Sequence, residues 1–267
     1  MTLLDVALLG LIQGLTEFLP VSSSGHLVIA SSLLGYEAEG STLLEVAVHL
    51  GTVLAVVVFF FRDLGDLVRA TPRLLKPVSW SRQGARDDPA TFMLILLGIS
   101  AIPAGVMGLF FKDRIQALFD SPQFACFGLI ATGLILLSTA LYKPGTSRVR
   151  LPSAIIMGLA QAVALIPGIS RSGSTISAGL AMGVAREEVG RFAFLMSIIP
   201  ILGASLLEVL DYEPTDIAVS TLAVGITVAF ASGLFALNLL MRFVARGRLI
   251  VFAPYCIAVG LLGILLG

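Results

Sequence analysis

Long stretches of apolar residues recur along the chain and alternate with short polar connections. A helix that crosses a bilayer needs about 20 mostly apolar residues, and six stretches approach that length. We predict a membrane-spanning helix over each of residues 43–61, 91–111, 121–142, 192–207, 217–241 and 249–267. The first of them contains Glu45 and His49, so it is not free of ionisable side chains. The pattern predicts an all-α polytopic membrane protein with six transmembrane helices.

Two further apolar stretches are interrupted by hydroxyl-rich sequence, and the two interruptions resemble each other. Residues 10–26 read GLIQGLTEFLPVSSSGH, and residues 158–175 read GLAQAVALIPGISRSGST. Aligned without gaps, they share the pairs Gly10/Gly158, Leu11/Leu159, Gln13/Gln161, Ser22/Ser170, Ser24/Ser172 and Gly25/Gly173. The helical arms around the interruptions are too short to cross a bilayer; they cover residues 5–19, 26–34, 153–166 and 175–184. We therefore predict two re-entrant helix-loop-helix pairs.

Composition and charge place these elements in a membrane. Hydrophobic residues make up 57% of the chain and charged residues 13%, which excludes an ordinary water-exposed surface. Most lysines and arginines fall in four groups, within residues 62–86, 143–150, 186–191 and 242–248, and the positive-inside rule assigns these groups to the cytoplasm. The two re-entrant pairs then enter from opposite sides. We expect one membrane domain, residues 1–267, with inverted-topology repeats over about 1–111 and 153–241 and a cytoplasmic loop over 62–90.

The two interruptions hold polar groups that suit an anion. Irregular backbone at membrane depth is tolerated only where it is buried in protein or lines a wet cavity, so we expect the interruptions to meet. A helix start presents free amides and a positive dipole end, and a guanidinium matches two phosphate oxygens at once. The candidate phosphate-binding residues are Ser22, Ser24, Ser170, Arg171, Ser172 and Thr175.

Candidate catalytic and metal-binding residues come from the same segments. Gln13 and Glu17 are four residues apart and share one helix face; their oxygens could hold Mg²⁺ or Ca²⁺ that is already bridged by substrate phosphates. Alternatively, Glu17 orients His26 or accepts a proton. The candidate catalytic residues are Glu17, Ser23, His26 and Arg171. The nucleophile is either Ser23, with His26 as its base, or His26 itself through a phosphoenzyme.

Less specific interpretations of the same residues stay open. Serine and glycine in membrane helices often serve close packing, Arg171 and Glu17 could form only a buried ion pair, and His49 reads as a core residue. Inverted repeats with broken helices are also a common transporter design, so a transporter or lipid flippase is the alternative function. A site is favoured because charged residues inside a membrane are usually functional.

With these motifs the chain resembles the bacterial undecaprenyl-pyrophosphate phosphatase family, also known as the bacitracin-resistance protein family. The matching segments are the pair Gln13 and Glu17, PVSSSGH at residues 20–26, HLGT at 49–52 and PGISRSGST at 167–175, and the resemblance covers the whole chain. It implies an integral inner-membrane enzyme that removes the terminal phosphate of undecaprenyl pyrophosphate, giving undecaprenyl phosphate and inorganic phosphate for recycling of the cell-wall lipid carrier.

The resemblance also implies dependence on a divalent cation and a site that opens toward the periplasm. Gln13 stands at the first position of the family's acidic pair, which leaves one fewer carboxylate for a metal. The expected partners are the bilayer and a polyprenyl pyrophosphate lipid, with no nucleic acid. The sequence leaves open whether the protein forms a homodimer.

Overall fold

The computed structural model describes residues 2–34, 42–75, 88–210 and 218–266, and this part of the chain is almost entirely helical. Its α-helices are α1 (Leu3–Phe18), α2 (Ser23–Leu34), α3 (Thr42–Phe59), α4 (Phe61–Ala70), α5 (Pro89–Phe110), α6 (Lys112–Phe119), α7 (Pro122–Ser138), α8 (Leu151–Val163), α9 (Arg171–Ala181), α10 (Arg186–Leu210), α11 (Val219–Ala245) and α12 (Ala253–Leu266). Short 3₁₀ helices follow α4, follow α7 and precede α12. The expected all-α fold is confirmed.

All six predicted spans fall on helices of the structure, namely α3, α5, α7, α10, α11 and α12. Within the described residues, α5, α11 and α7 with its 3₁₀ extension are long and apolar enough to cross a bilayer unaided. Helix α3 continues into α4 through a bend of 80°. The protein is therefore a multi-pass membrane protein. The predicted loop over 62–90 begins with the helix α4, and residues 76–87 lie outside the described part of the chain.

Both predicted re-entrant pairs are present as pairs of short helices. Helices α1 and α2 have 16 and 12 residues, and α8 and α9 have 13 and 11. At 1.5 Å per residue none of the four spans the hydrocarbon core of about 30 Å. The breaks, residues 19–22 and 164–170, therefore each join two helices that are too short to cross a bilayer.

The first arm of each pair packs against a long helix from the other half of the sequence. Helix α1 packs on α11, and α8 packs on α5. The matched glycines make this approach possible: a Cβ on Gly10 would lie 2.8 Å from the Gly225 carbonyl oxygen, and one on Gly158 would lie 2.5 Å from that of Ser100. Helix α7 contacts both α2 and α9. These contacts bring the two breaks together in the centre of the molecule.

Candidate active site

The first break ends α1 and starts α2 with a sharp reversal of the chain. Pro20 has no amide proton, and Ser22 has a φ of 66°, a left-handed conformation that is uncommon for residues with side chains. The Ser22 hydroxyl accepts a hydrogen bond from the Gly25 amide at 3.2 Å and lies 3.2 Å from the Ser24 hydroxyl. Ser22 therefore caps α2, whose first amides have no partner within the helix.

The second break repeats this cap with different support. Gly168 has a φ of 85°, and a Cβ there would lie 2.0 Å from a carbonyl oxygen of α7, so only glycine fits. The Ser170 hydroxyl accepts from the Gly173 amide at 3.1 Å and lies 3.3 Å from the Ser172 hydroxyl. Thr132 of α7 fixes the loop, because its hydroxyl accepts from the Ser170 amide and donates to the Gly168 carbonyl, both at 2.8 Å.

Glu17 is the point where the two breaks meet. One carboxylate oxygen, Oε1, forms an ion pair with the guanidinium of Arg171. The other, Oε2, accepts hydrogen bonds from the Ser23 hydroxyl at 2.6 Å and from the Gln13 amide nitrogen at 3.0 Å. The Glu17 side chain is only 6% exposed. The structure thus brings together three of the four candidate catalytic residues around one buried carboxylate.

The fourth candidate, His26, uses both ring nitrogens elsewhere. Its Nδ1 lies 2.7 Å from the carbonyl oxygen of Ser22, and its Nε2 lies 2.7 Å from the hydroxyl of Tyr255. The hydrogen bond donated by Ser23 goes to Glu17. This arrangement differs from the expectation that His26 is the base for Ser23, and it presents Glu17 as the proton acceptor instead.

The other predicted phosphate-binding hydroxyls lie around this centre, but they are not equivalent. Ser172 donates to the carbonyl of Leu19 at 3.4 Å, which links the second break directly to the first. Thr175 donates to the carbonyl of Arg171 at 2.8 Å. The Thr175 hydroxyl therefore donates its proton within its own helix, α9, and this hydrogen bond stabilises the turn that carries Arg171.

The two breaks are alike in backbone and unlike in chemistry. At the positions that correspond to Glu17 and His26, the second pair has Leu165 and Ser174. Gln161, the counterpart of Gln13, is buried, and neither polar atom of its amide has a hydrogen-bond partner among the described residues. The carboxylate and the imidazole thus come from one pair and the guanidinium from the other.

Two residues near the site, Tyr255 and His49, are not among the site residues predicted from the sequence. Tyr255 lies in α12, outside both motifs, and no local pattern marks it. His49, which reads as a core residue, is half-buried in α3 and lies within electrostatic range of Glu17. The sequence feature that points to His49 is its position in the HLGT stretch, residues 49–52.

Gln13 and Glu17 are the predicted ligands of a divalent cation. Gln13 is fully buried; its amide nitrogen donates to the Glu17 carboxylate, and its carbonyl oxygen Oε1 has no hydrogen-bond partner among the described residues. The same part of the chain contains no group of three or more His, Cys, Asp or Glu side chains that could hold a metal ion. Both Glu17 oxygens already have partners, so a hard cation held here would take most of its ligands from water or a bound phosphate.

Fold and site together define a class: a helical membrane protein in which two broken helix pairs meet at a buried ion pair between Glu17 and Arg171. The family model described as bacitracin resistance protein BacA matches residues 6–262. The chain belongs to this family.

Individual relatives match along their full lengths. The chain is 39% identical to an undecaprenyl-diphosphatase of Desulforapulum autotrophicum, with 100% of this chain and 99% of the relative covered. It is 40% identical to proteins of the same name from Bacteroides thetaiotaomicron (98% and 97% covered) and Halothermothrix orenii (100% and 98% covered).

Proposed function

We propose that the protein is a membrane phosphatase that hydrolyses undecaprenyl pyrophosphate to undecaprenyl phosphate and inorganic phosphate, and so recycles the cell-wall lipid carrier. The observation that carries the proposal is the contact of Glu17 with both the Ser23 hydroxyl and the Arg171 guanidinium. The names of the relatives support hydrolysis, and they give no support to the transporter or flippase alternative.

The two helix starts and the guanidinium between them form the pyrophosphate site. The amides of the first turns of α2 and α9 and the positive ends of both helix dipoles favour negative charge. Arg171 binds two phosphate oxygens at once. The hydroxyls of the caps lie within the same space; these are Ser22, Ser24, Ser170 and Ser172. The apolar isoprenoid tail lies outside this polar centre, along helix faces in contact with lipid.

Ser23 is the nucleophile in this proposal, and Glu17 is its base. The Ser23 oxygen attacks the terminal phosphorus as its proton passes to Glu17 Oε2, 2.6 Å away. The anhydride P–O bond breaks, and undecaprenyl phosphate leaves with the electron pair. Water then attacks the phosphorus of the phosphoserine, the P–O bond to Ser23 breaks, inorganic phosphate leaves with the water oxygen and its protons, and Glu17 returns its proton to the Ser23 oxygen. Pyrophosphate oxygens compete for Arg171, and partial release of Oε1 from its ion pair makes Glu17 a stronger base.

His26 acts through Nε2, because the Ser22 carbonyl holds Nδ1, and Nε2 becomes available when water or the substrate replaces the Tyr255 hydroxyl beside it. Nε2 either exchanges protons with the attacking water or, in the second candidate, attacks the phosphorus itself. The two schemes leave different covalent intermediates. Rapid acid quench of the enzyme with ³²P-labelled substrate, followed by peptide mapping, distinguishes them: phosphoserine survives acid and phosphohistidine does not. Label at Ser23 supports the proposal, and label lost in acid but kept in alkali on the peptide with His26 supports the second candidate.

Mg²⁺ or Ca²⁺ is the proposed cofactor, and Gln13 and Glu17 would hold it. Bound there, the cation would neutralise charge on the transferred phosphoryl group. The unpartnered oxygen of Gln13 supports this assignment. Gln13→Leu should raise the cation concentration needed for half-maximal activity, while Gln13→Glu should lower it.

The proposed topology is an inverted repeat with the site open toward the periplasm. The equivalent contacts of Gly10 and Gly158 with long helices of the opposite half support the repeat. The few basic residues on the side from which α1 and α2 enter support the orientation. Proteoliposomes with one known orientation, given a water-soluble short-chain substrate on one side only, test the direction of opening by which side yields phosphate.

The central experiment measures phosphate release from a polyprenyl pyrophosphate by the purified protein in detergent. Ser23→Ala and Glu17→Gln should each lower kcat by at least about 100-fold. Ser197→Ala is the matched control, because that buried hydroxyl donates only to a carbonyl of its own helix, α10, at 2.8 Å. Wild-type turnover in Ser23→Ala, or no turnover in the wild-type protein with any divalent cation, would overturn the proposal.

A further inference from the structure

Helix α12 lies outside both broken pairs, and its residue Tyr255 reaches His26. The Tyr255 hydroxyl lies 2.7 Å from Nε2 of His26. The two rings are nearly parallel, with an interplanar angle of 4° and centroids 5.6 Å apart. Tyr255 is 47% exposed, so its outer part faces the surroundings while its hydroxyl points inward to the imidazole.

The direction of this hydrogen bond follows from the other side of the ring. The partner of Nδ1 is the carbonyl oxygen of Ser22, which has no proton to donate, so Nδ1 must carry one. In the neutral imidazole Nε2 is then unprotonated and accepts a hydrogen bond. The hydroxyl of Tyr255 is therefore the donor, and the network selects one tautomer of His26.

We propose that Tyr255 is a positioning residue for the reaction: its hydroxyl holds His26 as the Nδ1–H tautomer, with Nε2 kept unprotonated and the ring in one orientation. The inference rests on the proposed function, in which Nε2 is the nitrogen that takes part in the chemistry. Without the hydroxyl, the Ser22 carbonyl alone restrains the ring, and Nε2 loses its fixed partner. Tyr255 orients the imidazole as the third group of a nucleophile–base–orienter arrangement does, but its hydroxyl binds the reacting nitrogen Nε2 itself and has to leave it before Nε2 takes a proton.

Tyr255→Phe isolates the hydroxyl, because the phenylalanine ring still stacks on His26. Tyr142→Phe is the matched control: the Tyr142 hydroxyl also makes one side-chain hydrogen bond, to Ser138 at 2.8 Å, at the end of α7. We expect Tyr255→Phe to lower kcat about 3- to 10-fold, the effect of one lost hydrogen bond, with KM unchanged. The control should keep both constants.

A spectroscopic readout separates positioning from general damage and needs no substrate. The chain has two histidines, so ¹⁵N-histidine labelling in a His49→Gln background reports on His26 alone. With Tyr255 present, the spectrum should show a protonated Nδ1 and an unprotonated, hydrogen-bonded Nε2. Tyr255→Phe should move the Nε2 resonance toward that of a nitrogen without a hydrogen bond, or mix the two tautomers, whereas Tyr142→Phe should leave it in place.

The outcomes are distinct. An unchanged Nε2 resonance in Tyr255→Phe overturns the hydrogen bond and the inference with it. A shifted resonance with unchanged kcat overturns the role of Tyr255 in the reaction. If the wild-type protein releases no phosphate, the proposed function fails, and the spectra still decide whether Tyr255 sets the tautomer of His26.

Discussion

Loss of the ion pair between Arg171 and Glu17 should affect stability and activity in different ways. The carboxylate is 6% exposed and the guanidinium 21%, so the pair is largely removed from solvent. Removing one partner of a buried pair leaves an uncompensated charge and costs about 3–5 kcal/mol. At about 2–4 °C per kcal/mol, Arg171→Ala should lower the apparent unfolding temperature in detergent by about 6–20 °C.

The double variant Glu17→Gln/Arg171→Met removes both charges; glutamine keeps the size of glutamate, and methionine fills much of the volume of the arginine stem. Replacing both partners is often nearly neutral, so most of the lost stability should return. Activity should not return, because the phosphate clamp and the base are both absent, and loss of electrostatic stabilisation alone lowers turnover by about 100- to 1,000-fold. Thermal unfolding and phosphate release on the same preparations measure both quantities.

Arg69→Ala is the control for charge removal in general. Arg69 pairs with Asp66 at 3.6 Å, and both side chains are mostly exposed, so the change should cost less than about 1 kcal/mol. Phosphate release by the double variant at close to the wild-type rate would show that Arg171 and Glu17 form only a structural pair, and the proposed mechanism would then be wrong. Equal stability of Arg171→Ala and the wild type would refute the estimate made from burial.

Three further predictions concern the scaffold. A Cβ at Gly14 would lie 2.5 Å from a carbonyl oxygen of α11, so Gly14→Ala should destabilise the protein by about 1–3 kcal/mol in thermal unfolding. A Cβ at Gly98 would have no atom within 4 Å beyond the nearby backbone of its own helix, so Gly98→Ala should stabilise the protein by about 0.5–1 kcal/mol. Thr132→Val should lower stability and turnover together, because it leaves two backbone groups of the second break unpaired, and Thr132→Ser should restore both. The hydrogen bond from the Thr91 hydroxyl is the largest influence that holds the pKa of Asp88 below its usual range. Asp88 therefore stabilises the start of α5 above about pH 4 and loses this effect as the pH falls further, and Asp88→Asn, whose neutral amide still caps the helix, should abolish that part of the pH dependence of unfolding.

The apolar pattern predicts the spans closely, because the bilayer fixes the length of an apolar helix. The span predicted at 91–111 is the helix Pro89–Phe110. The span predicted at 192–207 is too short at both ends, since α10 runs over Arg186–Leu210. Its first turn holds Glu187 and Glu188. These charged residues end the apolar pattern, but their negative charge suits the positive end of the helix dipole.

The composition of the site could be predicted, but its internal contacts could not. The two motifs supply Ser23, Glu17 and Arg171, and buried charges at matched breaks predict that they meet. The contact between the Ser23 hydroxyl and Glu17 depends on the turn at Ser22. The positive φ of Ser22 sets how α2 is rotated about its axis relative to α1. A one-residue difference in that turn would rotate α2 by about 100°. Tyr255 enters from more than 200 residues away, as part of tertiary packing that no local pattern encodes.

The packing of α1 on α11 has a consequence for biosynthesis. About 200 residues separate the end of α1 from the start of α11, and at about 5–20 residues per second the ribosome needs about 10–40 s to make them. During that interval the pair α1–α2 lies in the translocon or the lipid, and the surface of α11 against which Gly10 and Gly14 pack has not yet been made. Insertion of this enzyme therefore ends with the docking of α1 on α11. An insertase or chaperone that protects the pair α1–α2 would act before that step.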